Sequence, residues 1–244
     1  MIIKNIEAAQ RLDDLIEVLK KLLEPGGCDW DRSQTSESLV PYLLEETYEV
    51  IEAIDDKKPE MLKEELGDLT LHILFQAFLA EKKGHFTISD ALEDISKKLI
   101  RRHPHIFSTG DNKDLKYSAQ SWEQAKQDEK KRKNFLDGVP KKLPALTRAK
   151  RIQEKASSVG FDWENIDPVW EKVDEELEEL KEAISIGNKE FIKEELGDVL
   201  FSIVNLGRFL DTSGEDALRM TISKFERRFA KVEATLKGRG RNMV

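Results

Sequence analysis

EETYEVIEAI at residues 45–54 and EELEELKEAI at residues 175–184 are two versions of one pattern, and each is followed by the tetrad ELGD, at 65–68 and at 195–198. Every matched position is displaced by 130: Glu45 to Glu175, Glu49 to Glu179, Glu65 to Glu195, Asp68 to Asp198. The residues joining the two stretches do not repeat. They are Asp55-Asp56-Lys57-Lys58-Pro59 in the first copy and Ser185-Ile186-Gly187-Asn188 in the second. The carboxylate spacing is held while the connection changes, which implies that the carboxylates meet in space.

Outward from these stretches, apolar residues recur at helical rather than alternating spacing. Ile6, Leu12, Leu15, Ile16, Leu19, Leu22 and Leu23 mark a first helix that stops at Pro25-Gly26-Gly27. CDWDRSQTSES reads as a loop into a second helix, with Leu39, Val40, Leu43, Val50, Ile51 and Ile54 turned inward. A third helix, from about Glu60 to Ala80, is apolar nearly all round beyond Asp68 and is expected to be central and buried. A fourth follows the Thr87–Ser89 cap and ends near Pro104. WEQAKQDEKKRKN reads as a charged helix, after which Gly138, Pro140 and Pro144 mark a boundary.

The second copy opens with a helix at about 145–160, and Gly160-Phe161-Asp162-Trp163 echoes Gly27-Cys28-Asp29-Trp30. Its carboxylate helices are expected at about 168–186 and 189–211, with a last helix at about 215–236. No segment reads as a strand. The expected architecture is all-α, a tandem repeat of two helical units: residues 1–120, a charged helix and Pro-containing linker at 121–147, and residues 148–244. Units of about 100 residues with few aromatics tend to complete a four-helix-type core by pairing. Pairing between the two copies or between two chains would supply that core, and a homodimer is the expected form.

Bulk composition excludes several classes. Hydrophobic residues at 39% and charged residues at 36% fit a soluble chain with a modest core. A net charge of −8 argues against nucleic-acid binding through phosphate neutralisation. Cys28 is the one cysteine, so neither a disulfide framework nor a thiolate zinc site is available. The apolar run around Leu69–Ala80 is interrupted by Thr70, His72 and Gln76 and is too short for a membrane span. The N-terminus reads as an amphipathic helix rather than a leader, and a cytoplasmic location is expected.

Glu46 and Glu49 are three residues apart, one turn along a single helix face, and Glu65 and Asp68 repeat the relation on the next helix. A short turn makes the two helices antiparallel neighbours, so the four carboxylates converge. Glu176, Glu179, Glu195 and Asp198 do the same in the second copy. A lone ExxE is ordinarily a solvated acidic face. Here the face runs on into Leu71, His72 and Phe75, and into Phe201 and Ser202, where partly desolvated carboxylates repel one another unless a cation intervenes. A purely carboxylate ligand set, without the Glu-x-x-His of di-iron bundles, favours Mg²⁺, with Mn²⁺ as substitute. Magnesium held this way commonly completes its shell with substrate phosphates.

Phosphate needs positive charge opposite the metal. KKLIRR (97–102) supplies Lys98, Arg101 and Arg102, and KFERRF (224–229) supplies Lys224, Arg227 and Arg228. Lys172, one turn before Glu176, is a further candidate whose first-copy counterpart is Tyr42. His72 reads as a packed core residue, and His103 and His105 as part of a helix end around Pro104.

With EExxE, then ELGD, then RRHPHIF in one copy and KFERRF in the other, the chain resembles the MazG family of tandem-repeat nucleoside triphosphate pyrophosphohydrolases, within the all-α NTP pyrophosphatase superfamily. VPKKLPALTRAKRIQEKASSVGFDW (139–163) looks like that family's interdomain connection. The resemblance implies hydrolysis of nucleoside triphosphates between the α- and β-phosphates, and a dimer. It places metal ligands at Glu176, Glu179, Glu195 and Asp198, and through the repeat at Glu46, Glu49, Glu65 and Asp68. It places nucleotide contacts at Lys172, Val173, Asp174 and Glu175, at Phe191, Ile192, Lys193 and Glu194, and at Lys224, Phe225, Glu226, Arg227 and Arg228. Lys172 against Tyr42 makes the second copy the expected active one. Glu175, beside Glu176, is the candidate catalytic base. The rival expectation is a helical module that senses nucleotides or docks a partner with weak or absent catalysis.

Overall fold

The computed structural model describes residues 6–107 and 134–238. Contacts divide the chain into two compact units, Met1–Lys113 and Asp114–Val244. Among the described residues there are helices and turns and no strand. Each unit carries the carboxylate helix pair, so the fold is the all-α tandem repeat. None of the described helices is long and apolar enough to cross a membrane.

In the first unit α1 spans Ile6–Leu23 and carries Lys20 and Lys21 in its last turn, where positive charge suits the helix dipole. Gly27 ends it at close quarters: a Cβ there would stand 2.2 Å from the Leu22 carbonyl oxygen, so only glycine passes. The segment read as a loop contains a short helix, α2, Asp29–Ser33. The carboxylate helices are α3, Val40–Asp55, and α4, Pro59–Lys82, both with proline in the first turn, where its missing N–H costs nothing. α5, Ile88–Arg102, opens on a capping box: Thr87 accepts from the Asp90 N–H while the Asp90 carboxylate accepts from the Thr87 N–H at 2.8 Å. A single turn, α6, Pro104–Phe107, follows.

Leu19, Leu39, Leu74, Phe75 and Leu79 form the core of this unit, with Leu12, Leu15, Ile16, Leu71 and Phe78 packed against them. The inward face of α3 is narrower than its sequence suggests. Val40 and Ile54 lie exposed at opposite ends of the helix while Ala53 is buried. On α4 the apolar surface runs nearly all round, yet Ile73 is 52% exposed, so part of this expectedly central helix faces outward.

In the second unit α7 spans Ala145–Ser157, α8 Asp167–Ile186, α9 Lys189–Phe209 and α10 Gly214–Gly238. α8 and α9 are the second carboxylate pair, and α7 packs against α9. Val169, Val173 and Leu206 anchor the core, with Ile166 and Phe209 against them. The expected charged helix falls, but for Asn134, outside the described residues.

The two hairpin turns solve one geometry with different residues. Gly187 takes the left-handed conformation at φ +76°, and Lys57, displaced by 130, takes it at φ +56°. Asn188 then caps α9 by accepting from the Glu190 N–H at 3.0 Å, a role that Pro59 replaces in the first copy. The shared left-handed residue keeps the carboxylates in register although the surrounding sequence has diverged.

Candidate metal centres and an adjoining cavity

In the second unit Glu176 and Glu179 lie on α8 and Glu195 and Asp198 on α9. Glu176, Glu179 and Glu195 each offer an oxygen within 4.8 Å of the others. Mg–O bonds of about 2.1 Å put two oxygens on one ion at most about 4.2 Å apart. Adjacent oxygens on such an ion are only about 3 Å apart, so the three fit a hard cation after drawing together by up to about 2 Å. Burial, and then the charges of Glu179, Asp198, Glu176 and Glu194, raise the Glu195 carboxyl above its ordinary range. Glu176 is the buried member, 7% exposed, and Lys172 Nζ stands 2.8 Å from its Oε1 and 3.1 Å from Glu175 Oε1. The hydrogen bond to Glu176, with that to Glu175, pushes the Lys172 ammonium well above its usual pKa.

The first unit repeats the cluster with Glu46, Glu49 and Glu65, again within 4.8 Å of one another. Burial raises the Glu46 carboxyl to about 7, helped by a hydrogen bond with Glu49 and by the charges of Glu49, Asp68 and Glu65. Glu65 is raised for like reasons, burial first. The surroundings of this cluster differ from those of the second. Tyr42, in the place of Lys172, stacks on His72, with ring centroids 6.2 Å apart and planes 4° from parallel, and Trp30 meets Tyr42 edge-on at 6.0 Å. His72 is thus not a plain core residue: its Nε2 lies 3.9 Å from Glu46 Oε1. Burial lowers its pKa against the pull of Asp68, which keeps the ring neutral.

A cavity of about 550 Å³ adjoins the second cluster. Lys172, Glu176 and Asp198 form part of its wall. Phe161, Trp163 and Phe201 supply aromatic surface, and Gln153, Asn205 and Arg208 supply polar groups. Arg208 forks onto Asp162, with Nη1 2.9 Å from Oδ2, and also donates to Asn205 Oδ1. Burial works against the Asp162 carboxylate, but the hydrogen bonds from Arg208 and Ser157 outweigh it and hold its pKa below the usual range. Leu136 closes part of the wall because buried Lys155, on α7, donates to the carbonyls of Phe135 at 2.8 Å and Asp137 at 3.1 Å.

The first unit does not reproduce this wall. At a displacement of 130, Ser202, Asn205 and Arg208 correspond to His72, Phe75 and Phe78. Phe75 is 3% exposed and belongs to the hydrophobic core, against which Phe78 packs.

The remaining expected contact residues are spread along three elements. Val173 is buried in the core with Val169 and Leu206, so its side chain serves packing. Asp174 and Glu175 are exposed on α8. Phe191, Ile192, Lys193 and Glu194 occupy the first turns of α9, with Ile192 half-buried and the others exposed. Lys224, Phe225, Glu226, Arg227 and Arg228 are exposed on α10, and none of them lines the cavity. Lys98 and Arg102 are half-buried and Arg101 exposed on α5.

Sequence reasoning missed Gln153, Asn205 and Arg208. The repeated Gly-x-Asp-Trp turn was the one available pointer, because it places Asp162 and Trp163 on the cavity wall.

The chain matches the model of the MazG nucleotide pyrophosphohydrolase domain twice, over residues 34–107 and 168–232. It is 49% identical over 236 residues to a Thermotoga maritima protein named nucleoside triphosphate pyrophosphohydrolase/pyrophosphatase MazG, covering 96% of this chain and 90% of that one. It is 41% identical over 240 residues to the Escherichia coli K12 nucleoside triphosphate pyrophosphohydrolase, covering 96% and 91%. An uncharacterised Bacillus subtilis protein, YabN, is 44% identical over 226 residues, which is 91% of this chain and 46% of that protein. Two domain matches in register with two carboxylate clusters, and likeness along nearly the whole chain, make this protein a member of the MazG family of nucleotide pyrophosphohydrolases.

Proposed function

We propose that the second unit hydrolyses nucleoside triphosphates, ribo- and deoxyribo- alike, between the α- and β-phosphates, releasing the nucleoside monophosphate and pyrophosphate. The observation that carries this reading is that Glu176, a member of the carboxylate cluster, also lines the cavity, with Asp198 beside it on the wall. A phosphate chain at the carboxylates then has room for its nucleoside beside them. The names of the Thermotoga and Escherichia relatives support the same bond assignment.

Glu176, Glu179, Glu195 and Asp198 would hold Mg²⁺, or Mn²⁺ in its place. When bound, the ion supplies charge neutralisation for the phosphates and a more acidic water. Glu175, ion-paired with Lys172, takes the proton of the attacking water as its oxygen bonds to the α-phosphorus. The bond from the α-phosphorus to the bridging oxygen breaks, and pyrophosphate carries that electron pair away. Lys172 meets the charge that builds on the phosphates, and Lys224, Arg227 and Arg228 serve the leaving group. Phe191, Ile192, Lys193 and Glu194 bring the positive end of the α9 dipole toward the phosphates, its first N–H groups being held by the Asn188 cap.

For the first unit, Tyr42 and His72 in the places of Lys172 and Ser202 favour another reading. It holds a cation at Glu46, Glu49, Glu65 and Asp68 with little or no turnover, and Lys98, Arg101 and Arg102 act there as structure or weak phosphate contacts.

The protein works as a homodimer in this reading. Leu218, Ile222, Phe225, Phe229 and Val232 make an exposed stripe on α10 at spacings of three and four, the pattern of a helix seam that lacks its partner. Light scattering on the purified protein reads the mass directly, and a monomer throughout the working concentration range rejects the pairing.

Product analysis tests the reaction. The full chain with Mg²⁺ and a panel of canonical triphosphates is expected to give monophosphate and pyrophosphate. Diphosphate with orthophosphate would overturn the bond assignment.

A further inference from the structure

The turn between α7 and α8 supplies aromatic surface to the cavity, and one carboxylate ties that turn down. Gly160 bends the chain at φ +84°, and Phe161 and Trp163, the neighbours of Asp162, line the cavity. Phe161 is 82% exposed and Trp163 lies half open, so packing does little to place either ring. Hydrogen bonds do it instead. The Asp162 carboxylate accepts from the Trp163 backbone N–H at 2.9 Å and from Ser157 at the end of α7. It also takes the Arg208 fork from α9, where Nη1 reaches Oδ2 at 2.9 Å and Nη2 reaches Oδ1. The arginine is itself held, because its Nε donates to Asn205 Oδ1 at 3.1 Å and its guanidinium lies 4.6 Å from the centre of the Phe209 ring.

The first unit has the same turn without this latch. Gly27-Cys28-Asp29-Trp30 echoes Gly160-Phe161-Asp162-Trp163, but the position matching Arg208 is Phe78, which packs on the core. The Asp29 side chain is 99% exposed, and its ion pair is a local one, with Arg32 at 3.3 Å. The aspartate of the turn is thus tied to a carboxylate helix in the unit with the cavity and open to solvent in the other.

We infer that Arg208 is a positioning residue for the second unit's reaction: through Asp162 it holds Phe161 and Trp163 at the cavity, where they steady the substrate beside the carboxylates. The inference rests on the second unit being a nucleoside triphosphate site. Among the described residues Arg208 hydrogen-bonds Asp162 and Asn205 rather than the carboxylates of the metal cluster. Its loss therefore falls on substrate affinity and not on the chemical step.

The test compares Arg208→Met and Asp162→Asn with the wild type, using the full chain, Mg²⁺, the canonical triphosphate that turns over best and its monophosphate. Each variant is expected to raise KM and weaken calorimetric monophosphate binding about tenfold, with kcat within about threefold. The double variant should be no worse than either single one, because both remove the same interaction. Arg208→Lys, which keeps the charge without the fork, should recover part of the loss. The rise in melting temperature on adding Mg²⁺ should persist throughout. Chymotryptic cleavage beside Phe161 in substrate-free protein, mapped by mass spectrometry, should quicken in both single variants. KM and monophosphate affinity unchanged within about twofold in both overturn the inference. So does a fall in kcat together with loss of the Mg²⁺ shift, which marks general damage to the fold. Asp162→Asn, nearly the same shape, decides if Arg208→Met does not fold. If no triphosphate yields monophosphate and pyrophosphate, the hydrolysis reading fails by itself and the cleavage rate judges the latch. Quickened cleavage then supports the hold of Arg208 on the turn, and unchanged cleavage overturns it.

Discussion

Lys172 Nζ lies 2.8 Å from the buried Oε1 of Glu176, so one helix supplies both a cluster carboxylate and the ammonium that balances it. Lys172→Met should leave Glu176 without its neighbour. Because Lys172 is itself partly exposed, the expected loss of stability is modest, about 1 kcal/mol in metal-free protein. The loss in kcat should be larger, at least about tenfold, because the same ammonium meets substrate phosphate. Melting with and without Mg²⁺ separates the two effects: saturating metal restores the melting temperature and leaves the kcat deficit.

Glu176→Gln removes one charge from the cluster, and Asp198→Asn one from the cavity wall beside it, while keeping shape. Each is expected to reduce kcat at least about 100-fold with helicity unchanged by circular dichroism. The rise in melting temperature produced by Mg²⁺ should shrink in the same variants. A variant that keeps full activity and the full metal-induced shift removes its residue from the ligand set.

Metal-free protein should lose stability as pH rises. Glu46 has its carboxyl raised from 4.5 to about 7, so folding favours the protonated form. The contribution is fully present below the unfolded value near 4.5 and is lost as pH climbs through about 7. Glu65 and Glu195 shift in the same direction. A single proton limits the slope to about 1.4 kcal/mol per pH unit. Denaturant midpoints in chelator at about pH 5 and about pH 8 measure the change, and Glu46→Gln should flatten it. Stability that is level or rises across that interval contradicts the assignment.

The hairpin turns allow a reciprocal experiment. Lys57 and Gly187 hold the same left-handed position, where glycine is unstrained and a side chain is not. Lys57→Gly should stabilise the first unit and Gly187→Ala destabilise the second, each by about 1 kcal/mol. Thermal melts of the two single variants should move in opposite directions.

The helices and the carboxylates were legible in the sequence because both depend on spacing. The 3.6-residue period located α3, α4, α8 and α9, and the constant displacement of 130 placed the acidic residues across each turn. What escaped depends on contacts between residues far apart in the chain. Gln153 reaches Phe201 across 48 residues and Arg208 reaches Asp162 across 46. No local pattern encodes either pair. Likewise α2 escaped because five residues are too few to show a period, and Val40 and Ile54 look inward only when burial is read from hydrophobicity alone. His72 was read as core from its apolar neighbours, whereas its place beside Glu46 and Tyr42 follows from the packing of α3 on α4.

Two carboxylate clusters share one geometry, but a cavity wall lined with glutamine, asparagine and arginine accompanies the second, while core phenylalanines hold the matching places in the first. The molecule thereby carries its own internal reference. A probe that senses only clustered negative charge reports from both halves of the chain. One that requires the hollow reports from a single half, so ion chemistry and nucleoside chemistry separate within one sample.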